Sequence, residues 1–371
     1  MEDLVNPSVN FWRHKKVLLT GHTGFKGAWL YLWLKGLGAQ VHGFSLPPAT
    51  KPNLAELAGI VENNLETTFG DVRDELAVNE VMKRVEPEIV LHLAAQALVR
   101  QSYTDPVESF TTNVVGTLRV LEAAASCASV RAVLVVTSDK CYENQEWLWP
   151  YRENEPLGGH DPYSASKACQ EIATSSWRAS MPDMHRFADR KQPLAIATAR
   201  AGNVFGGGDW AADRLVPDYF RAQSRGTELT IRNPNARRPW QHVLEPLAGY
   251  LLLAEKLWCL EAQEAWNFGP GMDDVQPVSF IIDKLSSSEP PTRNWQLDSA
   301  NQPHEAGLLA LDSTKARSRL GWRPRLPLVD ALEWTSSWYS RQSNGELARD
   351  LTETQIQKYT NLAHAGHKTN G

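Results

Sequence analysis

Cysteine is scarce in this chain. Cys127, Cys141, Cys169 and Cys259 are spread over 371 residues, and no two form a C-x-x-C pair. A chain this long can bury a core without covalent staples, so a disulfide framework is not expected, and neither is a metal site. Reduced thiols in a cytoplasmic protein are the expectation. Long apolar runs are also missing. A run such as Tyr250 to Ala254 falls far short of a membrane span. The first sixteen residues are mixed and polar with no apolar h-region, which argues against a secretory signal. Neither sign of charge is in excess: 38 Lys and Arg against 43 Asp and Glu leave a net charge of -5. With no long basic run, nucleic acid and anionic membrane are not expected partners.

The composition is that of an ordinary globular protein, with 42% hydrophobic and 22% charged residues. The length allows one large domain or two modest ones. Tryptophan is abundant, at 14 residues, and reads mostly as core and lobe packing.

The chain is organised around Val17 to Gly27, VLLTGHTGFKG. Strand-type residues Val17 to Thr20 run into Gly21, Gly24 and Gly27, and a helical pattern follows from Ala28 to Lys35. Strand, Gly-rich turn and helix form the context in which such glycines bind a dinucleotide. The first permits the tight turn, the second lets backbone approach a pyrophosphate, and the third lets the helix pack closely on the sheet. The helix N-terminus then presents N–H groups and a positive dipole end to the phosphates.

Further strands read at Gln40–Leu46, Thr67–Asp71, Glu88–Ala95, Arg131–Ser138 and Leu194–Val204. Helices read at Asp74–Val85, Val114–Ala125 and Pro162–Arg178. This alternation predicts an α/β fold with a doubly wound parallel sheet, and RAVLVVTS is the continuous apolar run of a strand covered on both faces. Beyond about residue 205 the pattern loosens into loop-rich stretches. The expected organisation is a mainly dinucleotide-binding domain over 1–204 and a smaller, interleaved substrate lobe over 205–345 with late returns to the sheet. A C-terminal tail follows over 346–371, with 364–371 expected to be disordered.

The second signal is Tyr163-Ser-Ala-Ser-Lys167. On a helix these two side chains share a face. A cation beside a phenol favours the phenolate, which can take a proton from a hydroxyl as hydride leaves the same carbon. Alone the spacing is common; after the fifth strand of a Gly-rich nucleotide fold it points to catalysis. The third signal is Thr137-Ser138-Asp139-Lys140, where a strand ends and ligands of open α/β sheets bind. A helix cap or turn would use the same residue types. Lesser signals are His92 to Gln96, whose small residues let a ring pass over the backbone, and Asp71-Val72, which suits an adenine edge. Late in the chain stand Asn203, Arg237, Arg238 and His242; a cation pair near a loop suits a diphosphate.

Together TGHTGFKG, HLAAQ, TSDK, YSASK and RRPWQHV resemble the extended short-chain dehydrogenase/reductases, and within them the nucleotide-sugar 4,6-dehydratases. The likeness runs from about Trp12 to Tyr339 and includes LDSTKARSRLGWRP. Related dTDP-sugar enzymes carry Thr-Asp-Glu where this chain has Ser138-Asp139-Lys140, which favours the CDP-sugar branch. The resemblance implies a Rossmann sheet, NAD as cofactor, CDP-glucose as substrate, deoxysugar building for surface polysaccharide (lipopolysaccharide O-antigen) and a homodimer paired through helices near 107–125 and 163–178. It implies oxidation at C4, loss of water across C5 and C6, and hydride return to C6.

The residues expected at the cofactor are Gly21, Thr23, Gly24, Phe25, Lys26, Gly27, Ser45, Asp71, Val72, Ala94, Ala95, Gln96, Thr137, Tyr163 and Lys167. Those expected at the substrate are Gln96, Ser138, Asn203, Arg238 and His242. Tyr163 with Lys167 is expected to take the C4 hydroxyl proton, and Ser138 to bond the C4 oxygen. Asp139 is assigned as acid at C6 and Lys140 as base at C5, a role that needs the neutral amine; these two assignments could be reversed. One departure concerns the end of strand two, Phe44-Ser45-Leu46-Pro47, where a ribose-binding carboxylate is usual. Neither Asp, Glu nor Arg stands there, so NAD rather than NADP rests on the resemblance. Competing readings are another nucleotide-sugar 4,6-dehydratase, a 4-epimerase, which needs no acid–base pair for elimination, and a non-catalytic dinucleotide-sensing protein.

Overall fold

The computed structural model describes residues 5–62, 65–184, 187, 190, 192–286, 295–298 and 306–365. Seven strands make the central sheet: β1 (Lys16–Thr20), β2 (Gln40–Ser45), β3 (Thr67–Phe69), β4 (Ile89–His92), β5 (Ala132–Val136), β6 (Ala195–Ala201) and β7 (Ala265–Phe268). They lie in the order β7-β6-β5-β4-β1-β2-β3, and every pairing is parallel.

Strand residues divide by parity between two cores. Val17, Leu19, Ile89, Leu91, Ala132 and Leu134 face one core. Leu18, Val90, Val133 and Val135 face the other. The first is covered by α1 (Phe25–Gly36), and the second by α2 (Glu75–Val85), α3 (Gly116–Ser126) and α4 (Pro162–Ser180). A parallel sheet needs this cover because each strand is apolar on both sides.

The later chain adds α5 (Leu215–Arg225) and then α6 (Leu244–Trp258), whose apolar residues join the first core. Strand β7 then pairs with β6, so this half of the chain does return to the sheet. Short ladders, Val204–Phe205 with Gln241–His242 and Arg237–Pro239 with Val275–Pro277, build the wall that stands over the strand ends. The segment 346–365, expected as tail, contains instead the helix Ala348–Ala365, which packs Leu351, Ile356 and Tyr359 into the first core; 366–371 lie outside the described residues. Trp12, Trp29, Trp266, Trp322 and Trp338 are fully buried, as core packing requires, whereas Trp149 is 57% exposed. All four cysteines are free thiols.

Some boundaries differ from the sequence reading for local reasons. Strand β4 ends at His92 because Leu93 and Ala94 turn to donate their N–H groups to the Thr20 hydroxyl. The expected strand Leu194–Val204 breaks at Gly202, where an added Cβ would lie 2.5 Å from the Pro239 ring.

The chain reverses direction across the sheet between β1 and β4, and such a switch point opens a crevice at the strands' carboxyl ends. The glycines make the crevice floor possible. Gly21 has φ +76°, and a Cβ there would sit 2.7 Å from the Ala94 nitrogen. A Cβ on Gly27 would sit 2.0 Å from the Gly21 carbonyl oxygen. Gly27→Ala should therefore lower stability by about 1–3 kcal/mol in urea unfolding, since backbone must move to admit the methyl. Gly36→Ala, on the same helix with nothing within 4 Å of the added methyl, should leave stability unchanged or raise it.

Candidate active site

The crevice is a cavity of about 1000 Å³. Thr137 leaves β5 into it, and Ser138 caps the short turn Asp139–Cys141. The Ser138 hydroxyl donates to Asp139 Oδ1 at 3.0 Å and accepts the Lys140 N–H at 3.2 Å. The Tyr163 phenol, from the first turn of α4, lines the same cavity, and Ser138 stands close enough to it to oppose the rise of its titration. Helix α4 begins there because Pro162 occupies its first position and Asp161 caps it, accepting from Ser164 N at 2.9 Å. The Tyr163 N–H is held by Ser102 Oγ at 3.1 Å. The trio 138–140 and the phenol thus line one cavity at the strand ends.

Burial governs the charges here. Asp139 is 2% exposed, and its Oδ2 has no hydrogen-bond partner among the described residues. Desolvation raises its carboxyl above the usual range against the opposing pull of Lys140, Ser138, Arg238 and Lys26. The group is biased toward a protonated acid with one oxygen still to be bonded. Desolvation pushes the Tyr163 phenol up to about 12, with Ser138 and Arg214 opposing and Asp139 and Asp161 adding to the rise. Lys167 is lowered to about 7, by burial first and Lys26 second.

The Lys167 amine donates to Gln170 Oε1 at 2.8 Å, and burial is the largest influence on the phenol.

The crevice can hold a dinucleotide. Gly21, Gly24 and Gly27 line it with Thr23, Phe25 and Lys26 at the start of α1, where no side chain caps the helix. Ser45, Asp71, Val72, Ala94, Ala95 and Gln96 continue the wall. The Ser45 hydroxyl meets Thr23 Oγ1 at 2.8 Å and Leu46 O at 2.9 Å. Asp71 is tied to Arg73, whose Nη2 lies 2.6 Å from Asp71 Oδ2, and that bond holds the carboxyl below its usual range. The Gln96 side chain is bonded to both backbone groups of Leu98. Asn203 and Arg238 line the same cavity, with Arg238 4% exposed.

Two late residues are not brought there. His242, expected at the substrate, is fully buried among Trp29, Phe205 and Trp334, and burial drives its imidazole down to about 3. Arg237 turns its guanidinium to the Val275 carbonyl at 2.8 Å. His92 is likewise a core residue, bridging Thr20 Oγ1 and Thr117 Oγ1 at 2.7 and 3.0 Å.

Other residues at the site escaped the sequence reading. Arg214 pairs with Asp209 at 2.8 Å, and its charge reaches both Tyr163 and Lys26. Both lie in a loop-rich stretch with no periodic signal. Asn113 accepts from Gln96 N and donates to Ser166 Oγ, tying the β4 exit to α4. Gln170 was findable, since it stands one helical turn after Lys167.

With this geometry in view, comparison with known proteins is decisive. A family model described as GDP-mannose 4,6 dehydratase matches residues 18–334. The chain belongs to that family. Its dehydratase relatives include the CDP-glucose 4,6-dehydratase of Salmonella typhimurium, 45% identical over 94% of this chain and 97% of that protein. Among solved structures, a UDP-glucose 4-epimerase from Thermotoga maritima is 25% identical, with TM-score 0.72 over 88% of this chain and 99% of its own. A dTDP-glucose 4,6-dehydratase from Streptomyces venezuelae, solved with NAD bound, has TM-score 0.72 at 23% identity over 88% of this chain and 98% of its own, and it shares the fold.

In this dehydratase-family chain, Lys167 titrates at about 7 when folded and near its ordinary 10.5 when unfolded. Between those values the unfolded state binds more protons, so stability rises with pH across that window and falls as pH drops through it. Lys167→Met removes the contribution. In urea unfolding the variant should exceed the parent in stability below about pH 7, and the gap should close toward about pH 10.

Proposed function

We propose that this dehydratase-family chain converts CDP-glucose to CDP-4-keto-6-deoxyglucose with NAD as its cofactor. One observation carries the reading: the Tyr163 phenol shares one cavity with Ser138 and Asp139, which are bonded to each other, so a group suited to oxidation at C4 adjoins an acid with an unbonded oxygen. A 4-epimerase needs the first group and has no use for the second.

NAD, when bound against the Gly-rich turn, would accept hydride from C4 and return it to C6. Tyr163, as the phenolate and with Lys167 on the same helix face, takes the C4 hydroxyl proton as hydride leaves C4, and Ser138 keeps the C4 oxygen in line with it. The 4-keto group acidifies the C5 hydrogen, which Lys140 removes. Asp139 gives its proton to the departing C6 hydroxyl, and its bias toward the protonated form suits that task. Asn203 and Arg238 take the diphosphate end. The identity to the Salmonella typhimurium protein supports the choice of CDP-glucose among nucleotide sugars.

A homodimer fits the apolar side chains exposed on the helices around the site: Val107 at 68%, Val115 at 42% and Ile172 at 54%. No described helix is long and apolar enough to cross a membrane, which fits a cytoplasmic role in deoxysugar synthesis.

Purified protein supplied with CDP-, dTDP-, UDP- and GDP-glucose in parallel should turn over the CDP sugar fastest, giving the alkaline absorbance of a 4-keto product. A C4 epimer as the sole product would contradict the reading. Tyr163→Phe should lower kcat by about 100-fold or more, the scale of a lost proton-transfer group. In heavy water, Lys140→Ala should lose deuterium entry at C5. Asp139→Asn should keep C4 oxidation and lose dehydration. Normal elimination in Lys140→Ala would show the base assignment to be wrong.

A further inference from the structure

A buried ion pair beneath the reacting groups takes no part in the chemistry above. Glu171 lies on α4, one turn beyond Lys167 and two beyond Tyr163. Arg200 comes from β6. Both side chains are 3% exposed, and Arg200 Nη2 lies 2.7 Å from Glu171 Oε2.

Each partner also reaches a residue that borders the catalytic turn. Glu171 Oε1 accepts from the Thr137 hydroxyl at 2.5 Å, while Oε2 accepts from Thr198 at 2.7 Å. Arg200 Nη1 donates to the Tyr142 phenolic oxygen at 2.8 Å and to the Glu153 carbonyl at 3.1 Å. Tyr142 in turn donates to Asn267 Oδ1 at 2.7 Å. Thr137 and Tyr142 flank Ser138–Cys141 on either side. The carboxylate therefore holds one end of the turn directly and the other through the guanidinium. Burial alone would raise the Glu171 carboxyl, but Arg200 and the two threonine hydroxyls outweigh it and keep the charge in place.

We propose that the Glu171–Arg200 pair is a clamp that fixes the turn 138–141 against helix α4, so that both are positioning residues for the elimination step. The reach of Asp139 and Lys140 to a sugar bound at Tyr163 depends on how the turn is seated on the helix. Tyr163 and Lys167 sit on the helix itself and need no clamp. Loosening the turn should hurt dehydration more than C4 oxidation. What the spacing serves rests on the dehydratase reading; the clamp itself does not.

Thr137→Val and Tyr142→Phe each remove one hydroxyl from one end and leave the ion pair intact. They are made singly and together in the full chain. Amide exchange over 138–141 is read without substrate, with the thermal midpoint as the check on folding; kcat, KM and C4-oxidised sugar that retains its C6 hydroxyl are read with CDP-glucose. The clamp predicts faster exchange confined to the turn and a thermal midpoint close to the parent's. It also predicts an unchanged KM, a kcat lower by about 10- to 100-fold in the double variant, and accumulation of the oxidised, undehydrated sugar. Exchange and kcat equal to the parent's would overturn it. So would faster exchange with kcat unchanged, or a kcat loss that merely follows a lowered thermal midpoint. A parent that does not turn over CDP-glucose refutes the substrate assignment, and the exchange measurement then still decides the clamp.

Discussion

The Ser138 hydroxyl is the junction on which this site depends. It bonds the carboxyl of Asp139 and neighbours the phenol of Tyr163, which come from different elements, the end of β5 and α4. Two chemical steps on one sugar, at adjacent carbons, require their proton-handling groups to stand within a few ångströms of each other. The fold achieves this by placing the carboxyl end of an apolar strand beside the first turn of a long helix. The cofactor crevice opens at the same edge of the sheet because the chain switches direction there.

Burial then sets the protonation states. Desolvation raises Asp139 and Tyr163 and lowers Lys167, so each group moves toward its neutral form. A carboxyl at 139 held toward its protonated form can give a proton to a departing hydroxyl, which is what the elimination needs. Lys26 belongs to the same set. Its amine is lowered to about 8, chiefly by burial and Arg214, while Asp139 and Asp209 pull the other way. The charged pairs that do persist, Glu171 with Arg200 and Asp209 with Arg214, stand around the reacting groups rather than among them. Glu171 holds its charge against burial because the Arg200 guanidinium is in contact with it.

Much of this was legible in the sequence, and the reason is physical. A parallel strand covered on both faces must be apolar throughout, so EIVLHLAA and RAVLVVTS announced β4 and β5. The glycines at 21, 24 and 27 announced the crevice, and at 21 and 27 the backbone approach leaves no room for a Cβ. The trio at 138–140 and the Tyr163/Lys167 pair were readable from their places at a strand end and on one helix face. What could not be read is long-range. His242 is as polar as Asn203 on paper, yet only the packing of Trp29, Phe205 and Trp334 around it shows that it belongs to the core. The Lys167 amine is bonded by Gln170, a side chain that packing brings beside it. Arg214 and Asp209 come from a loop whose course is set by the wall it joins, and the helix Ala348–Ala365 is visible mainly through the apolar residues it packs inward.

A structure of the chain with NAD and CDP-glucose bound would test the convergence of these groups most directly. The account predicts the C4 oxygen within hydrogen-bond distance of the Tyr163 phenol and the Ser138 hydroxyl, and the C6 oxygen within hydrogen-bond distance of Asp139 Oδ2. A sugar whose C4 meets Tyr163 while its C6 hydroxyl points away from residues 138–140 would contradict it.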